Sequence, residues 1–161
     1  MLNELDFSAV IVTIKLALVS TVILILIGTP IAWWLSQTKL KFKAVFEAII
    51  ALPLILPPTV LGFYLLITLG SNGPIGRLLE SIGGSSIAFT FSGLVVGSVI
   101  YSMPFVVQPL QNSFSSVGRK PLEVAATLGA SKIDCFFSVA VPLARSGFIT
   151  AAVLGFAHTV G

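Results

Sequence analysis

The chain is poor in charged residues and in cysteine. Of its 161 residues, 9% are charged and 56% are hydrophobic, whereas an ordinary soluble domain carries roughly 25% charged residues. A chain this apolar cannot cover itself with polar side chains, so lipid is predicted to be its solvent. Its single cysteine, Cys135, excludes an intramolecular disulfide and gives no cysteine-based metal cluster.

The sequence also lacks the motifs of catalysis and of nucleic-acid binding. It contains no G-x-x-x-x-G-K-S/T phosphate loop, so it is not expected to hydrolyse ATP itself. Because it has neither a nucleophile–base pair nor grouped metal ligands, we expect no enzymatic activity, no metal and no cofactor. The net charge of +3 does not predict a nucleic-acid partner, since the basic residues flank apolar segments and form no stripe.

Four apolar segments predict an all-α, polytopic membrane protein with a single transmembrane domain over residues 1–161. About twenty apolar residues in a helix cross a bilayer core. The predicted spans cover approximately residues 8–36, 45–70, 87–110 and 136–161, and a more polar loop covers residues 115–134. Because the last segment is short and is still apolar at Gly161, we expect this chain to be part of a longer protein.

Basic residues predict the orientation, because loops on the cytoplasmic side are enriched in Lys and Arg. The loops over residues 37–44 and 111–135, with Arg145 just beyond, hold seven of the nine basic residues. The other two are Lys15 and Arg77. These two loops are therefore predicted to be cytoplasmic, with the N-terminus outside. Lys15 is expected to reach the outer headgroups, and contact with a substrate is the alternative.

Prolines and glycines interrupt the predicted spans. Pro57-Pro58 in the second span predicts a locally broken helix, a feature that often lines a transport route. Pro57, Pro58 and Thr59 are therefore candidates for a pathway or gate. The alternative is that proline is simply more frequent in membrane helices than in soluble ones. Gly93-x-x-x-Gly97 in the third span has the spacing that lets helices approach closely.

The polar loop carries a pattern for two short helices joined by a turn, over residues 121–134, which we call the elbow. Pro121 suits the first position of a helix, and Glu123 falls in its first turn, where a carboxylate is favourable. Gly129 supplies a left-handed helix stop. Ser131-x-x-Asp134 has the spacing of a capping box, with Asp in place of Glu, and predicts the start of the second helix.

The elbow is predicted to dock on another protein. A helix of about eight residues is not stable alone in water, and Leu122 and Leu128, with small alanines between them, suit a groove on a partner. The alternative is a helix lying on the lipid headgroups, which the scarcity of bulky apolar side chains disfavours. Further on, Pro142 is expected to bend or end the second helix.

The spacing of these residues resembles the cytoplasmic signature loop of ABC-importer permeases, whose pattern is E-A-A, three residues, G, nine residues and I-x-L-P. The matching residues are Glu123-Val124-Ala125, Gly129 and Val139-x-Val141-Pro142. The departures from the pattern are apolar exchanges at Val124, Val139 and Val141. The fold class is thus expected to be an incomplete form of the permease fold, with about four spans and a coupling helix.

A narrower resemblance is to the molybdate ABC-transporter permeases. The chain is similar to them over residues 52–64, 73–76 and 155–161, and together the matches cover most of the chain from Pro30 to Gly161. Permeases for molybdate, tungstate and sulfate resemble one another, so the other two oxyanions, or another small solute, remain alternatives. Members of the family continue further, which implies that one or two spans are missing here.

The resemblance implies a division of labour in the bacterial cytoplasmic (inner) membrane. A permease of this family forms a homodimer, cytoplasmic ATPase subunits drive it, and an extracytoplasmic binding protein delivers the oxyanion. It also implies that five residues couple the permease to the ATPase: Glu123, Ala125, Ala126, Gly129 and Pro142. His158, the single histidine, is expected to be structural, and a role in gating is the alternative.

Two other classes of protein are alternatives to an ABC-importer permease. A secondary transporter would need acidic residues or a proton relay inside its spans, which the span interiors do not supply. A structural membrane protein that transports nothing, for example a truncated permease, would not need the pattern of the elbow.

Overall fold

The computed structural model describes the backbone of residues 4–161 and the side chains of residues 7–161. Its regular structure within that part of the chain is helical, which confirms the predicted all-α fold class. The helices are α1 (Glu4–Gln37), α2 (Lys43–Ile55), α3 (Pro58–Leu69), α4 (Pro74–Ser81), α5 (Phe91–Val117), α6 (Lys120–Thr127), α7 (Lys132–Asp134), α8 (Val141–Leu143) and α9 (Arg145–Val160). A π-helical turn, Cys135–Ala140, joins α7 to α8. Met1–Asn3, and with them the predicted outer position of the N-terminus, lie outside the described residues.

Three helices, α1, α5 and α9, pack against one another and enclose the core. Long apolar runs form helices in lipid because a helix satisfies its backbone hydrogen bonds within the segment. α1 and α5 are each long and apolar enough to cross a membrane. Fully buried side chains fill the space between the three helices: Leu24, Leu35, Val106, Leu110 and Phe114.

Two glycines of α9 allow this close packing. A Cβ on Gly147 would clash with the side chain of Ser113 on α5. A Cβ on Gly155 would lie 2.7 Å from Cγ2 of Val106. Since real Cβ atoms do not pack at such distances, only glycine lets the helix axes come this near.

The Gly93–Gly97 pair lies on the face of α5 that borders a groove next to α3. A Cβ on Gly93 would meet the carbonyl of Ile87, in the loop before its own helix. A Cβ on Gly97 would reach the tip of Leu65 at 3.6 Å, which is an ordinary contact. Neither glycine is therefore required by a neighbouring helix within the described residues, and a close approach of another helix at this spacing stays a prediction.

The second predicted span, over residues 45–70, is broken at its prolines. α2 and the helical stretch from Pro58 onward are bent by 108°. Leu56 and Pro57 are extended, with ψ of 134° and 139°, because a residue before proline is driven out of the helical region. Pro58 then starts α3, where its missing N–H has no helical partner to lose. The predicted local break is confirmed.

The third and fourth predicted spans cover residues 87–110 and 136–161. The corresponding helices begin and end at other residues than predicted. α5 begins at Phe91, after Thr90 accepts a hydrogen bond from the Gly93 amide at 3.2 Å, and it extends to Val117. Residues 132–143 and α9 are bent by 70°. The bend follows Pro142, which donates no backbone hydrogen bond, and a π-helical turn precedes it.

Aromatic side chains fasten this bent segment to the core. Trp33 of α1 packs edge-to-face against Phe114 of α5 and against Phe136 of the π-helical turn. The distances between ring centroids are 5.2 Å and 5.1 Å. Such aromatic pairs contribute beyond the area they bury. They lie near the end of the molecule where α1 and α5 finish and most Lys and Arg residues are found, which we call the basic end.

Candidate functional site

The elbow lies at the basic end, beside the last turn of α1. α6 begins at Lys120, so Pro121 occupies the second helical position and not the predicted first. Arg119 precedes the helix, and its Nη2 donates to the carbonyl of Gln37 at 3.3 Å. The amide of Glu123 donates to the Arg119 carbonyl at 2.9 Å. The first bond ties the start of α6 to the end of α1, and the second is the opening backbone bond of α6 itself.

Gly129 ends α6 in the left-handed conformation that the sequence predicted, with φ of +90°. The Ala130 amide donates to the Ala125 carbonyl at 3.1 Å, and the Gly129 amide donates to the Ala126 carbonyl at 3.0 Å. These are the two bonds of a Schellman motif. A Cβ on Gly129 would meet nothing within 4 Å, so the backbone conformation, and not crowding within the chain, requires glycine.

Ser131 and Asp134 form the predicted capping box, which is confirmed. The Asp134 amide donates to Ser131 Oγ at 3.2 Å, and the Ser131 amide donates to Asp134 Oδ2 at 3.1 Å. The Ser131 hydroxyl donates to the same carboxylate oxygen at 2.6 Å. These bonds, the hydroxyl foremost, hold the pKa of Asp134 below its usual range because they favour the ionised form. Both ends of the turn are therefore capped.

The inner face of α6 packs toward the membrane helices. Leu122 is half-buried and packs against the core, and the thiol of the buried Cys135 lies 3.8 Å from the Leu122 carbonyl. A cleft of about 450 Å³ separates this face from Trp33 and Gln37 at the end of α1. Leu122 is therefore not on the outer surface of the elbow, where the docking prediction had placed it.

The outer face of the elbow exposes apolar side chains. Leu128 is 83% exposed, Ile133 69% and Val124 59%. Val124 and Leu128 lie one turn apart at the end of α6, and Ile133 lies on α7, at the start of a segment that forms a candidate broken span together with α9. Exposed apolar side chains on a capped turn are candidates for an interaction surface. We call these three residues the docking face.

Four of the five predicted coupling residues lie together on α6 and its turn. Glu123 and Ala126 are exposed and line the cleft, whereas Ala125 is half-buried. Gly129 forms the turn itself. Pro142 lies apart from them, exposed on α8 just before the 70° bend. These residues thus lie on a short capped helix and turn, from which the chain continues through α7, the π-helical turn and α8 into α9.

The three candidate gate residues lie at the break between α2 and α3. Pro58 lines an apolar groove of about 400 Å³ between α3 and α5, together with Gly62, Gly97 and Tyr101. Pro57 and Thr59 are exposed and are not among the residues that line this groove. The structure thus places one of the three on a cavity.

Sequence reasoning overlooked polar contacts inside the core. Ser102 of α5 is buried and contacts His158 and Thr159 of α9. The signal available in the sequence was the presence of Ser, Thr and His within apolar segments, since such groups need partners in a membrane. Their pairing could not be foreseen, because they lie more than fifty residues apart.

Glu47 was also overlooked. It lies early in α2, where it accepts a hydrogen bond from Gln111 Nε2 of α5 at 2.5 Å and lies 3.6 Å from Lys43 Nζ. The contact ties α2 to α5 at the basic end. An acidic residue at the edge of a predicted span is hard to assign from sequence, because its partner lies on a distant helix.

Membrane-crossing helices with a capped elbow at their basic end define a class of protein, the membrane subunits of transport systems. Over residues 17–161 the chain matches the family described as binding-protein-dependent transport system inner membrane component. Since this match covers most of the chain, the chain belongs to that family, and it is a multi-pass inner-membrane protein.

Individual relatives are similar along nearly the whole chain. It is 61% identical over 160 residues to the molybdenum transport system permease protein ModB of Azotobacter vinelandii, covering 99% of this chain and 71% of the relative. The proteins of the same name from Haemophilus influenzae and Escherichia coli K12 are 34% and 32% identical, over 98% and 99% of this chain. The chain spans 69% and 70% of these two relatives.

Proposed function

We propose that this chain is the permease subunit of an ATP-driven importer that carries molybdate across the bacterial inner membrane. The names of the similar proteins support the substrate, above all the Azotobacter relative at 61% identity. The capped structure of the elbow supports coupling of the permease to an ATPase. The ATP is hydrolysed in a separate cytoplasmic subunit, and the chain itself is not an enzyme.

The observation that carries this proposal is the docking face on a doubly capped elbow. Its apolar side chains, Val124, Leu128 and Ile133, are more than half exposed. The Schellman turn at Gly129 and the capping box after it fix the two helices relative to each other. A fixed apolar helix end fits a groove on another protein, and we assign that groove to the ATPase.

The predicted coupling residues take separate parts in this contact. Glu123, exposed in the first turn of α6, suits the positive end of the helix dipole and can pair with a basic residue of the ATPase. Ala125 and Ala126 favour the helix and have small side chains. Gly129 makes the turn. Pro142, just before the 70° bend, passes the movement on to α9.

The mechanism is alternating access driven from the basic end. Two copies of the chain form a homodimer, and their elbows move together when two ATPases close on ATP. Switching a two-state gate from 1:99 to 99:1 needs about 5.5 kcal/mol of differential interaction, which a rigid elbow transmits better than a flexible loop. The break at Pro57, Pro58 and Thr59 is the candidate gate, because α2 and α3 can move separately there.

The orientation follows from the basic residues. The loops over residues 37–44 and 111–135 face the cytoplasm and the N-terminus lies outside, in accord with the enrichment of Lys and Arg in cytoplasmic loops. The single transmembrane domain, residues 1–161, crosses the lipid with the four segments named above, and residues 115–134 are its coupling loop. An extracytoplasmic binding protein delivers the oxyanion to the opposite end.

Reconstitution tests this proposal. The full chain, its ATPase and the outer binding protein are placed in liposomes, and uptake of labelled molybdate is followed with and without ATP. We expect uptake that requires both ATP and the binding protein. Uptake driven by an ion gradient without ATP would show a secondary transporter instead, and no uptake of any solute would leave a structural role.

The same assay tests the substrate. Unlabelled sulfate and unlabelled tungstate are added in turn at the concentration of the labelled molybdate. We expect sulfate to compete poorly. Sulfate that displaces molybdate completely, or tungstate that is taken up in strong preference, would assign the permease to that oxyanion.

A further inference from the structure

A chain of hydrogen bonds crosses the core between α5 and α9. Ser102 is 1% exposed, and its Oγ lies 2.9 Å from His158 Nδ1 and 3.3 Å from Thr159 Oγ1. The Thr159 hydroxyl donates to the carbonyl of Gly155 at 2.9 Å. Polar groups inside a membrane protein are costly and mark functional positions more often than surface ones do. We call Ser102, His158 and Thr159 the polar cluster.

α1 brings two further hydroxyls to the same level of the core. Ser20 is fully buried and Thr21 is 8% exposed, and neither hydroxyl has a hydrogen-bond partner within the described residues. Thr21 Oγ1 lies 4.0 Å from the position of a Cβ on Gly155. Buried hydroxyls are normally paired. Their presence shows that this level of the core has hydrogen-bonding capacity that the chain itself does not use.

Aromatic rings hold the imidazole of His158 in place. Phe105 stacks on it at 3.9 Å between ring centroids, and Tyr101 lies at 4.6 Å. Tyr101 also lines the groove between α3 and α5 that contains Pro58. The side chain of Tyr101 therefore lies between the half-buried His158 and a cavity next to the broken span.

The directions of the hydrogen bonds in the polar cluster decide which nitrogen of the His158 imidazole carries the proton. The Thr159 hydroxyl donates to the Gly155 carbonyl, whereas the contacts of Ser102 with Thr159 and with His158 allow either direction. We assign the Ser102 proton to Thr159 Oγ1 and the Nδ1 proton to Ser102 Oγ, because all three contacts are then hydrogen bonds. In this order every proton has an acceptor. Nδ1 is then protonated, and Nε2, which has no hydrogen-bond partner within the described residues, is available for a ligand.

We propose that Nε2 of His158 binds the transported oxyanion and that the imidazole takes up a proton from a buffer acid of the aqueous phase as it does so, with the conjugate base remaining in solution. This inference rests on the proposed function and adds a contact residue to it. An oxyanion accepts hydrogen bonds, so it requires a proton on Nε2 in addition to the one on Nδ1. The resulting imidazolium pairs its charge with that of the anion. Ser102 and Thr159 act as positioning residues.

The groups that face the imidazole are neutral, so the bound anion balances the charge of the imidazolium. From α5 the titratable Tyr101 and the uncharged Phe105 and Ser102 face the ring. α1 brings Ser20 and Thr21 to this level, whereas the ammonium of its Lys15 lies over the ring of Phe91, at 5.3 Å. A transient cation among neutral groups attracts an anion and releases it when the proton leaves.

Nitrogen NMR tests the proposal directly, because His158 is the single histidine of the chain. The chain is labelled with ¹⁵N-histidine, assembled with its unlabelled ATPase in lipid nanodiscs, and titrated with molybdate in the nucleotide-free and the vanadate-trapped states. We expect the Nε2 signal to move from the unprotonated to the protonated range in one of them, with Nδ1 protonated throughout. An Nε2 signal that molybdate leaves unmoved in both states overturns the proposal.

Uptake by variants gives a second measurement. His158→Leu should lower molybdate uptake per ATP hydrolysed about tenfold or more, the loss expected for a hydrogen bond to a charged group. His158→Gln, which keeps an N–H donor, should retain more uptake than His158→Leu. The matched control is Thr150→Val on the same helix, whose exposed hydroxyl donates to the Ser146 carbonyl at 3.0 Å. All variants are compared at equal abundance in the membrane.

The outcomes separate the two proposals. Wild-type uptake of molybdate together with unchanged uptake in His158→Leu overturns the contact at His158 and leaves the proposed function standing. Wild-type protein that takes up no oxyanion with its ATPase and binding protein overturns both.

Discussion

The amide of Ala130 donates a hydrogen bond of 3.1 Å to the carbonyl of Ala125, across the left-handed turn at Gly129. The bond closes the end of α6 and fixes the direction in which the chain enters α7. A flexible loop at this point would absorb any movement of a partner. The proposed transmission of movement through the elbow requires such a closed turn, so the turn is the first feature to test.

Gly129→Val should uncouple ATP hydrolysis from uptake. A side chain in the left-handed region costs roughly 1–2 kcal/mol, and the turn can relieve that cost by opening. The measurement is molybdate uptake per ATP hydrolysed. Gly83→Val is the matched control, because Gly83 has φ of +83° and equally open surroundings but lies outside the elbow. Normal coupling in Gly129→Val would show that the turn has no part in transmission.

Leu128→Ser should weaken binding of the ATPase without unfolding the permease. Leu128 is 83% exposed, so the folded chain loses little, whereas an apolar anchor in a partner's groove contributes on the order of 2 kcal/mol or more to binding. Co-purification of the ATPase measures the effect. Leu40→Ser serves as the control, since Leu40 is 57% exposed on the other basic loop. Equal losses in the two variants would argue against a specific docking face.

Much of the elbow could be predicted from sequence because its signals are local. Gly129 and the Ser131–Asp134 spacing act within one or two turns of backbone, and both occur as expected. The prolines at positions 57 and 58 also act locally, and they break the second span. These features can be found from sequence because steric limits of single residues, or hydrogen bonds within three residues, cause them.

Contacts between distant helices could not be predicted in the same way. Ser102 and His158 are 56 residues apart, and nothing in either segment specifies the other. The direction of Leu122 was missed for a related reason. Which face of an eight-residue helix turns inward depends on how the chain enters it, here through the bond between Arg119 and Gln37.

Asp134 should titrate below the usual Asp value because the ionised carboxylate accepts bonds from Ser131. Its lowered folded pKa means that the capping box contributes stability above the unfolded pKa, and that this contribution is lost as pH falls through the folded pKa. Carboxyl NMR of the labelled chain gives the midpoint. Ser131→Ala should raise it, and Ser116→Ala, whose hydroxyl donates to Asn112, should not. An unchanged midpoint in Ser131→Ala would contradict the account.

Gly147→Ala should destabilise the three-helix core. The added Cβ would clash with Ser113 and lie 3.1 Å from the Pro109 carbonyl, and overpacking of this kind costs about 1–3 kcal/mol. Thermal unfolding in detergent measures the loss. Gly62→Ala is the control, because a Cβ there meets nothing within 4 Å and alanine favours the helix. If both variants melt alike, the close approach of α9 to α5 is not needed for stability.

The central claim, that the elbow docks on a cytoplasmic ATPase, is tested most directly by crosslinking from position 127, an exposed residue next to Leu128 that leaves the docking face intact. The chain carries Thr127→Cys in a Cys135→Ser background, which removes its single native cysteine, and a photoreactive thiol reagent is attached in assembled membranes. The account predicts a crosslink to the ATPase and labelling from the cytoplasmic side. Labelling from the outer side, or crosslinks to lipid alone, would contradict it.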